Sequence, residues 1–524
     1  MAEEKEGEIM AKKRAKKPAK KDTEKPKKPE GVQKVLDEYK ISYQNVVARV
    51  KIYQDPKEYV PVYDIMYPKI EKATRAVLDS IREKIVTELA FRTEDILSPE
   101  ETGDIKEKFV KKAAALVKGE LPHLSKDDRG ILVGILSQES LGLGPIEFML
   151  KDHGLEEIVI NNSKEPIWVY HRTCGWLKTN VTVKDESRVF NYAAQIGRKV
   201  GTQITNLSPL MDAYLTTGDR ANATLFPVSS NGNTLTIRKF ARRPWTITDF
   251  VRTKTISPEV AAFLWLAIQF EMNIVCTGGT ASGKTSFLNV LSMFIPPTQR
   301  IISIEDTREI QLPPFLHWVP LTTRPPNIEG KGEVTMLQLM INALRMRPDR
   351  MIVGEMRRSK EAEVLFEAIN TGHSVYSTLH ANTAEETLKR LINPPINIPI
   401  SLLTSLQLIA VMHRDRRRNI RRVLEVSELI PSGGLAEMKI ELNNIFRWIP
   451  SKDQIIEWGK SNRVWNDIKL FSGMGDSEIK RNLEEKKSIL LWMVKNKINT
   501  IDKVGRTISD YYKDPGKVLE MVGK

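Results

Sequence analysis

Residues Gly278-Gly279-Thr280-Ala281-Ser282-Gly283-Lys284-Thr285 carry a complete Gly-x-x-x-x-Gly-Lys-Thr spacing. The apolar run Asn273-Ile274-Val275-Cys276 precedes them, and Ser286-Phe287-Leu288-Asn289-Val290-Leu291 follows with a helix-compatible texture. A glycine-rich loop between a buried strand and a helix N-terminus turns successive backbone N–H groups onto phosphate oxygens, and the helix dipole adds positive potential. In such a loop Lys284 reaches the β and γ phosphates and the Thr285 hydroxyl ligates Mg²⁺. Residues Gly278 to Ser286 are therefore expected to bind a nucleoside triphosphate, ATP, with Mg²⁺.

Hydrolysis of that nucleotide needs a metal, an oriented water and positive charge on the developing phosphate oxygens. Ile304-Glu305-Asp306-Thr307-Arg308-Glu309 sets three carboxylates at a strand's C-terminal end, the edge where α/β ligand sites lie. One of them can orient the water; the alternative is a solvated acidic loop. Met351-Ile352-Val353-Gly354-Glu355 places another carboxylate directly after a buried strand, suited to Mg²⁺ through water. Gly354 stands where an Asp is usual. His373 and His380 flank the segment Ser374 to Leu379 and are two of only seven histidines in the chain.

The elements that must position these groups follow from pattern. Ser257-Pro258 opens a helix to Phe270, with serine as N-cap and proline in the first turn. Ile301 to Ile304, Met351 to Val353 and Ser374 to Leu379 are short apolar strands separated by helical runs, and Thr335 with Gln338 forms a capping box. Strands alternating with helices imply a mainly parallel α/β core. Before it, Glu156–Asn162, Ile167–Tyr170, Ala221–Phe226 and Thr234–Phe240 are strand segments around a helix from Ser187 to Val200, a small α+β domain. Residues 31–135 are expected to form a helical module, on the strength of apolar spacing from Ala73 to Phe91 and from Asp104 to Val117. Past 420, antiparallel strands and a helical end from Ser477 to Leu519 complete the chain. The expected divisions are a basic tail at 1–30, the helical module at 31–135, the α+β domain at 136–243, the nucleotide core at 244–420 and an extension at 421–524. Arg242-Arg243-Pro244 is the expected linker.

Composition excludes several classes. Only Cys174 and Cys276 occur, so neither a disulfide framework nor a four-cysteine zinc site is available. No stretch of the sequence has the length of a transmembrane helix, and the N-terminal residues lack the apolar region of a secretory signal. The formal charge is +14, but residues 12–28 hold ten Lys or Arg against Asp22 and Glu24. More than half of the excess therefore lies in one Lys/Pro/Ala-rich tail, which is expected to be disordered. Overall charge is thus weak support for nucleic-acid binding, and no direct nucleic-acid partner is expected.

The phosphate loop, Ile304–Glu309, Arg345–Glu355 and Thr371–Asn382 follow one another in the order and spacing of the type II/IV secretion and type IV pilus/archaellum ATPases. They resemble that family's Walker A, Asp box, atypical Walker B and His box, and the Gly354-Glu355 pair is a family habit. Gly142-Leu143-Gly144-Pro145-Ile146 and Gly218-Asp219-Arg220-Ala221-Asn222-Ala223 resemble its N-terminal signatures. Thr280-Ala281-Ser282, Asn393 to Pro399 and the C-terminal extension resemble the archaeal branch. The resemblance covers roughly 140–420. It implies a RecA-like P-loop NTPase core preceded by the small α+β domain, in a homo-oligomeric ring, a hexamer, whose ATPase cycle does mechanical work. It further implies a cytoplasmic protein held at the inner face of the membrane by a polytopic platform protein, serving pilin-like or secreted substrates. By the same resemblance Glu309 polarises the attacking water, with Glu305 the less favoured choice. Glu355 is the Walker B carboxylate and His380 senses the γ-phosphate. Arg220 and Arg238 close over the nucleotide, and Arg345 acts across a subunit boundary. The rival class is a ring-forming nucleic-acid motor, DNA-pumping or helicase-like.

Overall fold

The structure is a computed structural model describing residues 34–68, 70–89, 99–215, 218–240, 243–326, 330–433 and 438–523. The basic tail and part of the expected linker lie outside these residues. Two sheets organise the chain. The first contains β1 (Lys34–Tyr43), β2 (Val46–Gln54), β3 (Val62–Met66), β4 (Leu155–Ile160), β5 (Pro166–His171), β6 (Gly175–Thr182), β7 (Leu210–Tyr214), β8 (Arg220–Thr224) and β9 (Thr234–Arg238). Its order is β1-β2-β3-β6-β5-β4-β9-β8-β7. Every neighbouring pair is antiparallel except β3 and β6.

Here the expectation for residues 31–135 fails in its first third. Val46, Ala48, Val50 and Ile52 are buried while Val47, Arg49 and Lys51 point outward or partly so. That alternation has the period of a half-buried strand, so the segment extends the small domain's sheet. The Asn180 side chain fastens the joint, donating to the Ile65 carbonyl and accepting from its N–H, each at 3.0 Å. The expected helices do follow, at Lys72–Leu89 and Pro99–Glu120. A third, Lys126–Leu141, runs straight through residue 135 and buries Leu132, Val133 and Leu136 in the same small core as Leu78, Ile81 and Phe109. The helical module and the α+β domain therefore meet in one continuous helix, with no break at 135.

The second sheet contains β10 (Ile274–Gly278), β11 (Ile301–Glu305), β12 (Trp318–Thr322), β13 (Arg350–Val353), β14 (Ser374–Leu379), β15 (Leu408–Asp415), β16 (Ile420–Ser432), β17 (Lys439–Ile449) and β18 (Gln454–Glu457). Its order is β12-β11-β13-β14-β10-β15-β16-β17-β18. From β12 to β15 all pairs are parallel; from β15 to β18 all are antiparallel. This is the RecA-like α/β core, with β10 central and buried along its whole length. Parallel strands covered on both faces read as unbroken apolar runs, which is why Ile301–Ile304 and Met351–Val353 stood out in the sequence.

The C-terminal helices Asp476–Lys495 and Ile501–Lys513 pack on the helix Pro258–Gln269, and Pro515–Val522 packs on those two. Trp265 is the centre of that contact. It is fully buried, stacks on Phe294 at 5.1 Å between centroids, and donates from Nε1 to the Tyr512 hydroxyl at 2.9 Å. Tyr512 in turn donates to the Phe294 carbonyl at 2.6 Å. Trp265→Ala is expected to destabilise the chain by about 3–5 kcal/mol, because it opens a cavity and strips the Tyr512 hydroxyl of a donor. Urea unfolding of the variant checks this. A loss below about 1 kcal/mol would mean that the extension does not rest on this residue.

Candidate functional site

The loop after β10 is shaped by glycines where the backbone demands them. Gly278 has φ 153° and Gly283, at the start of the helix Lys284–Ser292, has φ 93°. Both lie in the region that L side chains avoid. A Cβ on Gly278 would also stand 2.4 Å from the Met412 carbonyl and from Ser282 Oγ. Ala281 holds φ 59° without being glycine, and Ser282 is buried. The result is a cradle of backbone N–H groups at a helix N-terminus, with Thr285 and Ser286 facing the adjoining cleft.

Lys284 is the first residue of that helix and is only 8% exposed. Its Nζ donates to the Gly279 carbonyl at 3.2 Å and lies 3.2 Å from His380 Nδ1. Burial pulls its pKa down, while Glu355 and Glu309 push it up. His380 stands just past β14, and its Nε2 lies 3.0 Å from Glu355 Oε1. An ammonium can only donate, so His380 Nδ1 accepts and Nε2 carries the proton that is donated to Glu355. That tautomer is assigned from its partners, and it agrees with the downward shift that burial and the nearby Lys284 impose on His380. Lys284, His380 and Glu355 thus form one chain of polar contacts across the ends of β10, β14 and β13. His373 is at the other end of β14, near the Ala368 carbonyl, and has no part in it.

Arg357, which the sequence did not single out, completes this network. It donates to Glu355 Oε2 from Nε at 2.9 Å and from Nη2 at 2.7 Å, and its Nη1 donates to Asp306 Oδ2 at 2.9 Å. Asp306 is thereby joined to Glu355. The only sequence signal would have been a cation two residues beyond the carboxylate that ends β13.

The two candidate glutamates of the β11 loop have different surroundings. Glu305 is 2% exposed, and its Oε1 accepts from the N–H groups of Glu309 and Ile310 at 2.9 and 3.0 Å. Its Oε2 is buried with no partner among the described residues. Glu305 folds the loop, whereas Glu309 projects into the cleft, with Oε1 3.5 Å from Arg238 Nη2. Burial pushes the Glu305 carboxyl up to about 7 from an ordinary 4.5. The folded state therefore holds this proton more tightly than the unfolded chain does. Its contribution to stability is complete below about pH 4.5 and is lost as pH rises through about 7. Glu305→Gln is expected to flatten that part of the melting-temperature profile of the nucleotide-free protein; an unchanged slope would refute the assignment.

Arg238 and Arg220 come from the first sheet, directly opposite one another on β9 and β8. Arg220 is held by Asp212, with Nε to Oδ1 at 2.9 Å and Nη2 to Oδ2 at 2.5 Å. Both arginines line a cavity of about 190 Å³ between the two sheets, whose other wall includes Thr285, Ser286 and Glu309. Arg345, by contrast, caps the helix Met336–Leu344, is exposed, and does not line this cavity. The cradle, the Thr285 hydroxyl and the surrounding carboxylates are hard oxygen and N–H donors, a set that fits a Mg²⁺–nucleotide. No helix among the described residues is long and apolar enough to cross a membrane.

Residues 219–421 match the sequence profile of the type II/IV secretion system protein family. An uncharacterised protein of Methanocaldococcus jannaschii is 35% identical over 396 residues, covering 74% of this chain and 69% of that protein. The type IV secretion system protein PtlH of Bordetella pertussis is 32% identical over 264 residues, covering 46% of this chain and 77% of PtlH. Among solved structures, the VirB11 ATPase of the Brucella suis type IV secretion system is 25% identical, with a TM-score of 0.28 over 54% of this chain and 91% of VirB11. The chain belongs to the type II/IV secretion system protein family.

Proposed function

We propose that this protein is a Mg²⁺-dependent ATP-hydrolysing motor that powers protein secretion or the assembly of a pilus- or archaellum-like filament. The observation that carries this reading is the chain Lys284–His380–Glu355 beside a glycine-shaped phosphate cradle whose Thr285 and Ser286 share a cavity with Arg220 and Arg238 of the other sheet. Family membership supports the kind of work done.

Each residue's task follows from its surroundings. Lys284 donates to the Gly279 carbonyl and to His380 Nδ1. A γ-phosphate is the stronger, charge-assisted acceptor, so Lys284 turns to it and frees His380 Nδ1. His380 thereby registers the γ-phosphate and passes the change to Glu355 through its Nε2 proton. Glu309 orients a water at the γ-phosphorus; the new P–O bond forms as the bond to the bridging oxygen breaks, and the water's proton leaves through the carboxylate. Arg238 gives up its 3.5 Å pairing with Glu309, and with Arg220 it meets the charge that develops on the phosphate oxygens. Thr285 Oγ1 and, through water, Glu355 would hold Mg²⁺, which would supply further charge neutralisation when bound.

Closure of the first sheet onto the core is then the mechanical step. It runs in a homohexameric ring in which Arg345 serves a neighbouring subunit, on a membrane platform protein at the cytoplasmic face. The nucleic-acid motor is the second reading. ATPase stimulation by DNA that survives removal of residues 1–30 would favour it, whereas the secretion motor predicts rates unchanged by DNA.

A further inference from the structure

β15 lies directly against the phosphate-loop strand, with Met412 opposite Gly278, and turns at Asp415–Ile420 into β16. Six arginines fall between Arg414 and Arg422, and the hairpin sends three of them in different directions. Arg422 is buried and tied away from the site by Asp453, at 2.8 and 2.9 Å. Arg421 turns the other way. Its Nε donates to the Ala281 carbonyl at 3.2 Å, and its Cδ would be 3.4 Å from a Cβ on Gly283. Arg414, paired with Arg421 across the hairpin, donates from Nη2 to the Tyr170 hydroxyl of β5 at 2.7 Å. At the hairpin's tip Asn419 donates to the Thr173 carbonyl at 3.2 Å.

One two-stranded ribbon therefore touches the phosphate loop on one side and the first sheet on the other. The loop contact falls on Ala281, whose φ of 59° is a conformation a non-glycine residue holds only when its surroundings impose it. We propose that Arg421 is a positioning residue that keeps the phosphate loop in the cradle conformation that receives nucleotide. The hairpin makes that hold depend on the seating of the first sheet through Arg414 and Tyr170. The nucleotide-bound loop has phosphate oxygens to hold it and needs Arg421 less, so the effect falls on binding more than on turnover. This rests on the proposal that the loop binds ATP.

The test is binding of a methylanthraniloyl-labelled ADP to the full-length protein by fluorescence, with steady-state ATPase alongside. Arg421→Ala is expected to weaken ADP binding and raise KM for ATP by about tenfold, with kcat within about twofold. Arg421→Lys, which can still donate to the carbonyl, is expected to recover most of the affinity. Tyr170→Phe removes the acceptor of Arg414 without touching the loop and is expected to weaken ADP binding in the same direction. In the Arg421→Ala background it should add nothing, because the relay is already cut. Unchanged affinity in both Arg421→Ala and Tyr170→Phe would overturn the inference, as would a loss confined to kcat. Wild-type protein that binds no labelled ADP would instead overturn the nucleotide site itself. If Arg421→Ala does not fold, Tyr170→Phe carries the comparison, and unchanged ADP affinity in it overturns the inference.

Discussion

Replacing Lys284 by alanine is expected to lower ATP turnover by about 100-fold or more while leaving the chain folded. The ammonium sits inside the cradle, donating to the Gly279 carbonyl. It is kept largely out of water at 8% exposure, so its charge acts on a phosphate with little screening. The neighbouring basic groups are engaged elsewhere, Arg421 with the Ala281 carbonyl among them. His380 is held neutral by burial and by Lys284 itself, and Arg357 is committed to Glu355 and Asp306. Stability should change little, because β10 and its helix are held by a core of Cys276, Phe287, Leu288 and Leu291 that does not include the amine. Phosphate release and thermal unfolding measured on the same preparation separate the two effects. Normal turnover in a folded Lys284→Ala protein would refute the site.

Glu355→Gln is expected to produce a loss of similar size by a different route. Both carboxylate oxygens accept from donors: Oε1 from His380 and Oε2 twice from Arg357. An amide keeps the shape but turns one oxygen into a donor, which must then face either the His380 N–H or the Arg357 guanidinium. The chain from Lys284 to Glu355 is broken and the negative charge available to a metal is gone. Turnover should fall about 100-fold, with nucleotide binding within about fivefold of wild type, since the cradle is untouched. Turnover within about threefold of wild type would mean that Glu355 only braces Arg357.

How much of this was legible beforehand depended on whether the signal was local. The phosphate loop was, because a spacing of eight residues between an apolar run and a helix specifies geometry as well as composition. The parallel core was legible for a similar reason: strands buried on both faces, such as Ile274–Cys276 and Met351–Val353, are short runs dominated by apolar residues. Residues 34–66 are harder to place: Val46, Ala48, Val50 and Ile52 alternate cleanly, but the helical spacing that follows dominates the region. Only pairing with a strand more than 100 residues away shows where they belong. The choice between Glu305 and Glu309 was beyond the sequence. Glu305 ends β11 and Glu309 follows four residues on, and only the folded chain shows that Glu305 turns inward to accept from backbone N–H groups. Arg357 and Arg421 were invisible for a related cause. Each sits among other charged residues, and only the folded chain shows which arginine meets Glu355 and which meets Ala281.

Phosphate release by the purified full-length chain, followed with ATP in the presence of Mg²⁺ and again after chelation, bears most directly on the claim that the cleft between the two sheets hydrolyses ATP. The arrangement of Lys284, Glu309 and Glu355 predicts steady release with Mg²⁺, lost on chelation and lost in Lys284→Ala. A folded wild-type protein that binds ATP and Mg²⁺ yet releases no phosphate above the Lys284→Ala background would contradict it.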